Sequence, residues 1–200
     1  MLEQLAQAWA ATSDLEVVSV SFGLAYVILA ARENSWCWPC ALIGTGTAVV
    51  LFYEGMLPME SALNAYYLIM AVYGWWCWQR KLPDNSSHLP IRSWSAKEHI
   101  TSIGTVAFLC LLSGYSLSQH TDAALPYLDS FTTWSAVITT WMVTRKVLEN
   151  WLYWIVINSA SIYLFISREF YLYAILFLLY VIIAVWGYFQ WRSNYRSQTA

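Results

Sequence analysis

Seven apolar runs, parted by short polar connections, constrain this chain more than any other feature. They fall near residues 15–31, 36–53, 61–78, 99–117, 127–143, 151–166 and 170–191. A helix needs about 20 apolar residues to cross the hydrocarbon core of a bilayer. Only 11% of the 200 residues are charged, whereas soluble domains carry about a quarter. That is too little charge to cover a water-facing surface. Thirteen Trp and fourteen Tyr suit the headgroup level, where aromatic belts gather. The pattern predicts an all-α membrane protein with seven transmembrane helices, forming one membrane domain over residues 1–200.

The polar segments set an expected orientation. Counted alternately, one set holds Arg168 alone; the other holds Arg32, Arg80, Lys81, Arg92, Lys97, Arg145, Lys146, Arg192 and Arg196. The positive-inside rule then puts the N-terminus outside and the C-terminus in the cytoplasm of a bacterial inner membrane. The first 14 residues include Glu3 and Asp14 but no Lys or Arg. They lack the basic start of a cleavable signal peptide, so the first run is expected to be a retained span. No basic stripe is present to hold nucleic acid.

The chain also repeats itself. Residues Ala71-Val72-Tyr73-Gly74-Trp75-Trp76-Cys77-Trp78 match Ala184-Val185-Trp186-Gly187-Tyr188-Phe189-Gln190-Trp191 at one offset, aromatic for aromatic. The same offset puts Arg32 on Arg145 and Trp38 on Trp151. Runs one to three therefore match runs five to seven. Three is odd, so direct duplication alone would invert the second unit; run four restores its direction. The expected plan is 3+1+3, with a first three-helix bundle at 15–78, a cytoplasmic loop at 79–97, a linker helix at 99–117 and a second bundle at 127–191. Parallel repeats of this kind are a transporter plan, with the site between the halves near the midplane. The bland alternative is a chance match of two aromatic span ends.

Polar side chains inside spans need a partner or a function. Trp151, Trp154 and Asn158 are spaced to share one helical face. Two indoles can stack on a flat, cationic ring at about 0.5–2 kcal/mol per contact, and the amide both donates and accepts. The bland reading makes Trp151 a belt residue and Asn158 a helix-to-helix tie. Asn64, Tyr67, Met70 and Gly74 form a similar stripe in run three, and Tyr173, Tyr180, Ala184, Gly187 and Trp191 in run seven. From these, Asn64, Tyr67 and Tyr180 join the candidate substrate-binding set. Asp129 and Glu149 read as capping or snorkelling carboxylates, with a proton- or cation-coupling site as the sharper alternative.

Nothing points to an enzyme, a cofactor or a metal. His88, His99 and His120 are isolated, and no nucleophile elbow or phosphate-binding glycine loop occurs. Cys37 and Cys40 make a C-x-x-C without the soluble βαβ setting that gives the motif redox meaning. All four cysteines read as small hydrophobes.

The segment Asp129-Ser130, Thr144-Arg145-Lys146, Glu149-Asn150-Trp151-x-x-Trp154-x-x-x-Asn158 resembles the Pnu family of vitamin transporters, as does Tyr73-Gly74-Trp75-x-x-Trp78. The resemblance covers nearly the whole chain. It implies a SWEET-like pair of three-helix bundles, a homotrimer, and facilitated diffusion of an unphosphorylated vitamin precursor that a cytoplasmic kinase then traps. The family's W-x-x-W-x-x-x-N site carries over to Trp151, Trp154 and Asn158. Riboside-transporting members often carry Gln where this chain has Asn64, and Asn where it has Ala71. Nicotinamide riboside is the first expectation, with thiamine and riboflavin as family alternatives. A reading from another class is a non-transporting scaffold or redox membrane protein using Cys37 and Cys40.

Overall fold

The computed structural model describes residues 12–54, 58–80, 89–120, 125–167 and 170–199. Among them are seven helices: α1 Asp14–Ala31, α2 Cys37–Glu54, α3 Pro58–Gln79, α4 Ala96–His120, α5 Pro126–Thr144, α6 Asn150–Ser167 and α7 Tyr171–Thr199. The expected turn residues 55–57, residues 81–88 of the long loop, residues 1–11 and Arg168 lie outside the described residues.

Local sequence sets the helix ends. Ser13 caps α1: its N–H donates to Glu16 Oε2 at 2.7 Å, and its Oγ accepts from the Glu16 N–H at 3.2 Å. Ser95 and Glu98 repeat this box before α4, at 2.8 and 3.4 Å. Such a reciprocal pair satisfies two donors that the first turn leaves open. Pro126 opens α5, where its missing N–H costs nothing. Helices α1 and α5 end alike. Arg32 and Arg145 cap them, and the next residues, Glu33 and Lys146, take left-handed backbone at φ 55° and 49°. For a residue with a side chain that costs on the order of 1–3 kcal/mol.

The helices pack reciprocally. In the first half α1 lies on α2 and α2 on α3; in the second, α5 on α6 and α6 on α7. Across the halves α1 meets α7 and α3 meets α5, while α4 packs on α5. Aromatic–glycine contacts fix each half. The Trp38 ring occupies the space that a Cβ on Gly74 would need, and Trp151 comes within 2.9 Å of one on Gly187. Trp38 meets Trp78 edge-on at 5.3 Å, Trp151 meets Trp191 at 5.5 Å, and Trp78 and Trp191 meet each other at 6.0 Å. The tight aromatic positions that mark the repeat are thus the ones that pack the two halves together.

The exterior is apolar. Ile69, Phe108 and Leu111 are about two-thirds exposed, which suits hydrocarbon and not water. Helices α1, α4 and α7 are long and apolar enough to cross a membrane by length and composition. Before α4, residues 89–95 strap over the turn between α5 and α6. Arg92 N–H donates to the Lys146 carbonyl at 3.0 Å, and Leu148 N–H to the Arg92 carbonyl at 2.8 Å. Glu149 accepts from the Ser93 hydroxyl and, at 3.2 Å, from the Trp94 N–H. Its carboxylate therefore anchors this strap.

Candidate functional site

A cavity of about 470 Å³ lies between the halves, walled by α1, α2, α3, α5, α6 and α7. All six residues singled out from sequence line it: Asn64 and Tyr67 on α3, Trp151, Trp154 and Asn158 on α6, and Tyr180 on α7. The helical spacing of α6 accounts for its contribution, because residues three, four and seven apart share a face. Trp151 and Asn158 are only 2% and 5% exposed. Tyr180 reaches across to α1, where its hydroxyl lies 3.2 Å from the place of a Cβ on Gly23. That glycine gives the ring its room. Met70 and Gly74, on the predicted α3 stripe, do not line the cavity; Gly74 is taken up by Trp38. Asp129 and Glu149 do not line it either.

Several cavity residues lay beyond the sequence reading. Ser161 follows Asn158 by one turn and extends the same α6 face, so continuing that periodicity finds it. Trp38 is the first-half counterpart of Trp151 and was legible through the repeat. Tyr26, tilted against Trp38 at 5.8 Å, carries no signal in the sequence. It enters the site only because α1 packs beside α2.

The chemistry of the lining is specific. Among the described residues no Asp, Glu, Lys, Arg or His faces the cavity. A phosphate group, with a charge of about −1.5 to −2, meets no cation there. A flat cation meets aromatic faces instead, and amides supply orientation. The Nε1 atoms of Trp38 and Trp151 are buried without an acceptor. An unpaired buried donor costs about 1–3 kcal/mol, and here two belong to equivalent residues of the cavity lining. Thr140 and Thr45 turn their hydroxyls back to their own helices, onto the Ala136 and Ala41 carbonyls at 2.8 and 2.7 Å. No cluster of three His, Cys, Asp or Glu able to hold a metal occurs among the described residues. All four cysteines are free, and Cys37 is wholly buried in the core.

Comparison with known proteins bears on the same cavity. The profile of a family described as nicotinamide mononucleotide transporter matches residues 13–193. The chain is 26% identical over 211 residues to the nicotinamide riboside transporter PnuC of Escherichia coli, covering 93% of this chain and 88% of that one. It is 23% identical over 185 residues to the riboflavin/roseoflavin transporter RibM of Streptomyces davaonensis, covering 88% and 83%. Its fold superposes on the crystal structure of the vitamin B3 transporter PnuC with a TM-score of 0.76 at 18% identity, covering 98% of this chain and 88% of that one. With apolar helices, a membrane-type exterior and a family match over most of its length, the chain belongs to the nicotinamide mononucleotide transporter family, as a PnuC-like Pnu vitamin transporter of the membrane and not an enzyme.

Proposed function

We propose that the protein takes up an unphosphorylated vitamin precursor, nicotinamide riboside first, by facilitated diffusion through the inner membrane. The observation that carries this reading is the uncharged cavity between the halves, with aromatic faces and two amides, Asn64 and Asn158. Its volume of about 470 Å³ falls in the range of small-ligand sites. Trp151 and Trp154 hold the flat ring, and Asn158, Asn64, Tyr67 and Tyr180 orient its substituents. The reciprocal helix contacts support a SWEET-like 3+1+3 arrangement in which two bundles rock about the site. The N-terminus lies outside and the basic loops lie in the cytoplasm. A homotrimer is the working assembly, residues 15–78 and 127–191 are its bundles, and α4 is the linker. A uniporter cannot concentrate its ligand, so a cytoplasmic kinase gives uptake its direction.

Riboflavin is the second reading, favoured by the similarity to a riboflavin/roseoflavin transporter; thiamine, a flat cation, also suits the aromatic lining. A thermal-shift panel with the three vitamins separates them. The true substrate at 100-fold its Kd stabilises the protein by about 2.7 kcal/mol, and the others leave the melting curve in place. If none of the three shifts it, the substrate assignment fails. Alanine at both Cys37 and Cys40 leaves transport intact on this reading; its loss, in folded protein, would favour the redox alternative.

A further inference from the structure

We propose that Glu33 and Lys146 form an ion-pair latch that holds the basic end of the two bundles shut, and that its opening is a required step in transport. The proposal rests on the transport reading above. The two side chains belong to opposite halves and meet at 2.8 Å, with only 16% and 6% of their surfaces exposed. They are 113 residues apart, which is the offset of the repeat, so they occupy equivalent positions in the two halves. Two further pairs of contacts at this end are reciprocal. Trp78 Nε1 donates to the Val143 carbonyl at 3.2 Å, and Trp191 Nε1 to the Ala30 carbonyl at 3.0 Å. The Arg145 guanidinium lies 5.3 Å from the Tyr73 ring centre, and that of Arg32 lies 5.8 Å from Trp186. Each of these contacts joins one half to the other, and each has its counterpart at the repeat offset.

Opposite charge is the departure from that symmetry. Two equivalent residues that must meet across a two-fold need opposite charges to attract, and these have them. The backbone argues the same way. Both residues sit in the left-handed region, where glycine rests without strain. The chain keeps a glutamate and a lysine there, so the side chains are retained against their backbone preference. Both are further held in place. Asn194 Nδ2 donates to Glu33 Oε1 at 2.6 Å, and the Lys146 ammonium lies 4.8 Å from the Trp78 ring centre. The pair thus sits on the indole cluster whose Trp38 and Trp151 line the cavity, and its closure would bar a route from there to the basic end. A partly buried ion is costly once its partner is gone, so loss of either residue should favour the open state.

A thiol reporter in the cavity tests this. Ser161→Cys supplies the thiol, and the parent protein with its native cysteines is the blank. A membrane-impermeant methanethiosulfonate is applied to one side of oriented vesicles. Glu33→Gln, Lys146→Gln and Glu33→Gly each raise labelling from the basic side by about tenfold, within the span of typical couplings, and lower it from the other side. The last variant also relaxes the backbone, so it tests the charge without added strain. The reversed pair, Glu33→Lys with Lys146→Glu, returns labelling towards the parent rate, because it restores an ion pair between the same two positions. Unchanged labelling in singly substituted, folded protein overturns the proposal, and so does a reversed pair as accessible as the single variants. Labelling needs no vitamin, so the latch can fail while counterflow by the parent protein in separate vesicles still shows transport.

Discussion

The two halves of the molecule are alike where they pack and diverge over part of the cavity wall, although Tyr67 and Tyr180 still match there. Trp38, Gly74 and Trp78 make the same set of contacts as Trp151, Gly187 and Trp191. At other places on the cavity wall the equivalents diverge. Trp154, Asn158 and Ser161 of α6 stand where α2 has Ala41, Thr45 and Ala48, and Asn64 of α3 stands where α7 has Phe177. All of these line the cavity. On the mechanism proposed above, two rocking bundles are served by matched packing on both sides. A vitamin with no two-fold symmetry of its own is not served by an identical lining. The repeat therefore survives in the packing positions and at Tyr67 and Tyr180, and is lost at Asn64, Trp154, Asn158 and Ser161.

Substitutions can break this contrast. Trp154→Ala has the largest expected effect, a loss of about 2–4 kcal/mol in binding, typical of a buried aromatic anchor. Asn158→Ala follows at about 1–3 kcal/mol, because its polar partner on the ligand is left unpaired. Calorimetry on both proteins checks these losses; parental affinity in both would remove the site assignment. Moving the amide, as Thr45→Asn with Asn158→Thr, should not restore binding, since Trp154 has no aromatic counterpart on α2. A restored Kd would mean that the halves are interchangeable at the cavity. The packing positions respond in stability. Gly74→Ala forces a Cβ into the Trp38 ring and should cost about 1–3 kcal/mol, read as a lowered melting temperature. Gly187→Ala should fall at the lower end of that range, because its closest approach is looser. Thr45→Ala gives the smallest change, with affinity kept within about threefold, because its hydroxyl is already bonded within its own helix. A loss as large as that of Asn158→Ala would place Thr45 in the recognition set.

Sequence alone determined the seven apolar runs, the register of the repeat and the α6 face of Trp151, Trp154 and Asn158. Each of these follows from a short-range rule: the length of a span, the matched aromatics at one offset, and the 3.6-residue turn of a helix. The tertiary structure decided which faces meet. Tyr26 enters the cavity only through the packing of α1 on α2, and Gly74 leaves the expected stripe because Trp38 fills its space. In the sequence Lys146 reads as one charge of the basic set, and nothing there singles out Glu33. Their pairing, and the glutamate's bond to Asn194, exist only because α1, α5 and α7 end side by side. Helical periodicity is written into consecutive residues and can be read from them. Contact between helices depends on how side chains of distant segments fit, and that fit is settled only when the whole bundle packs.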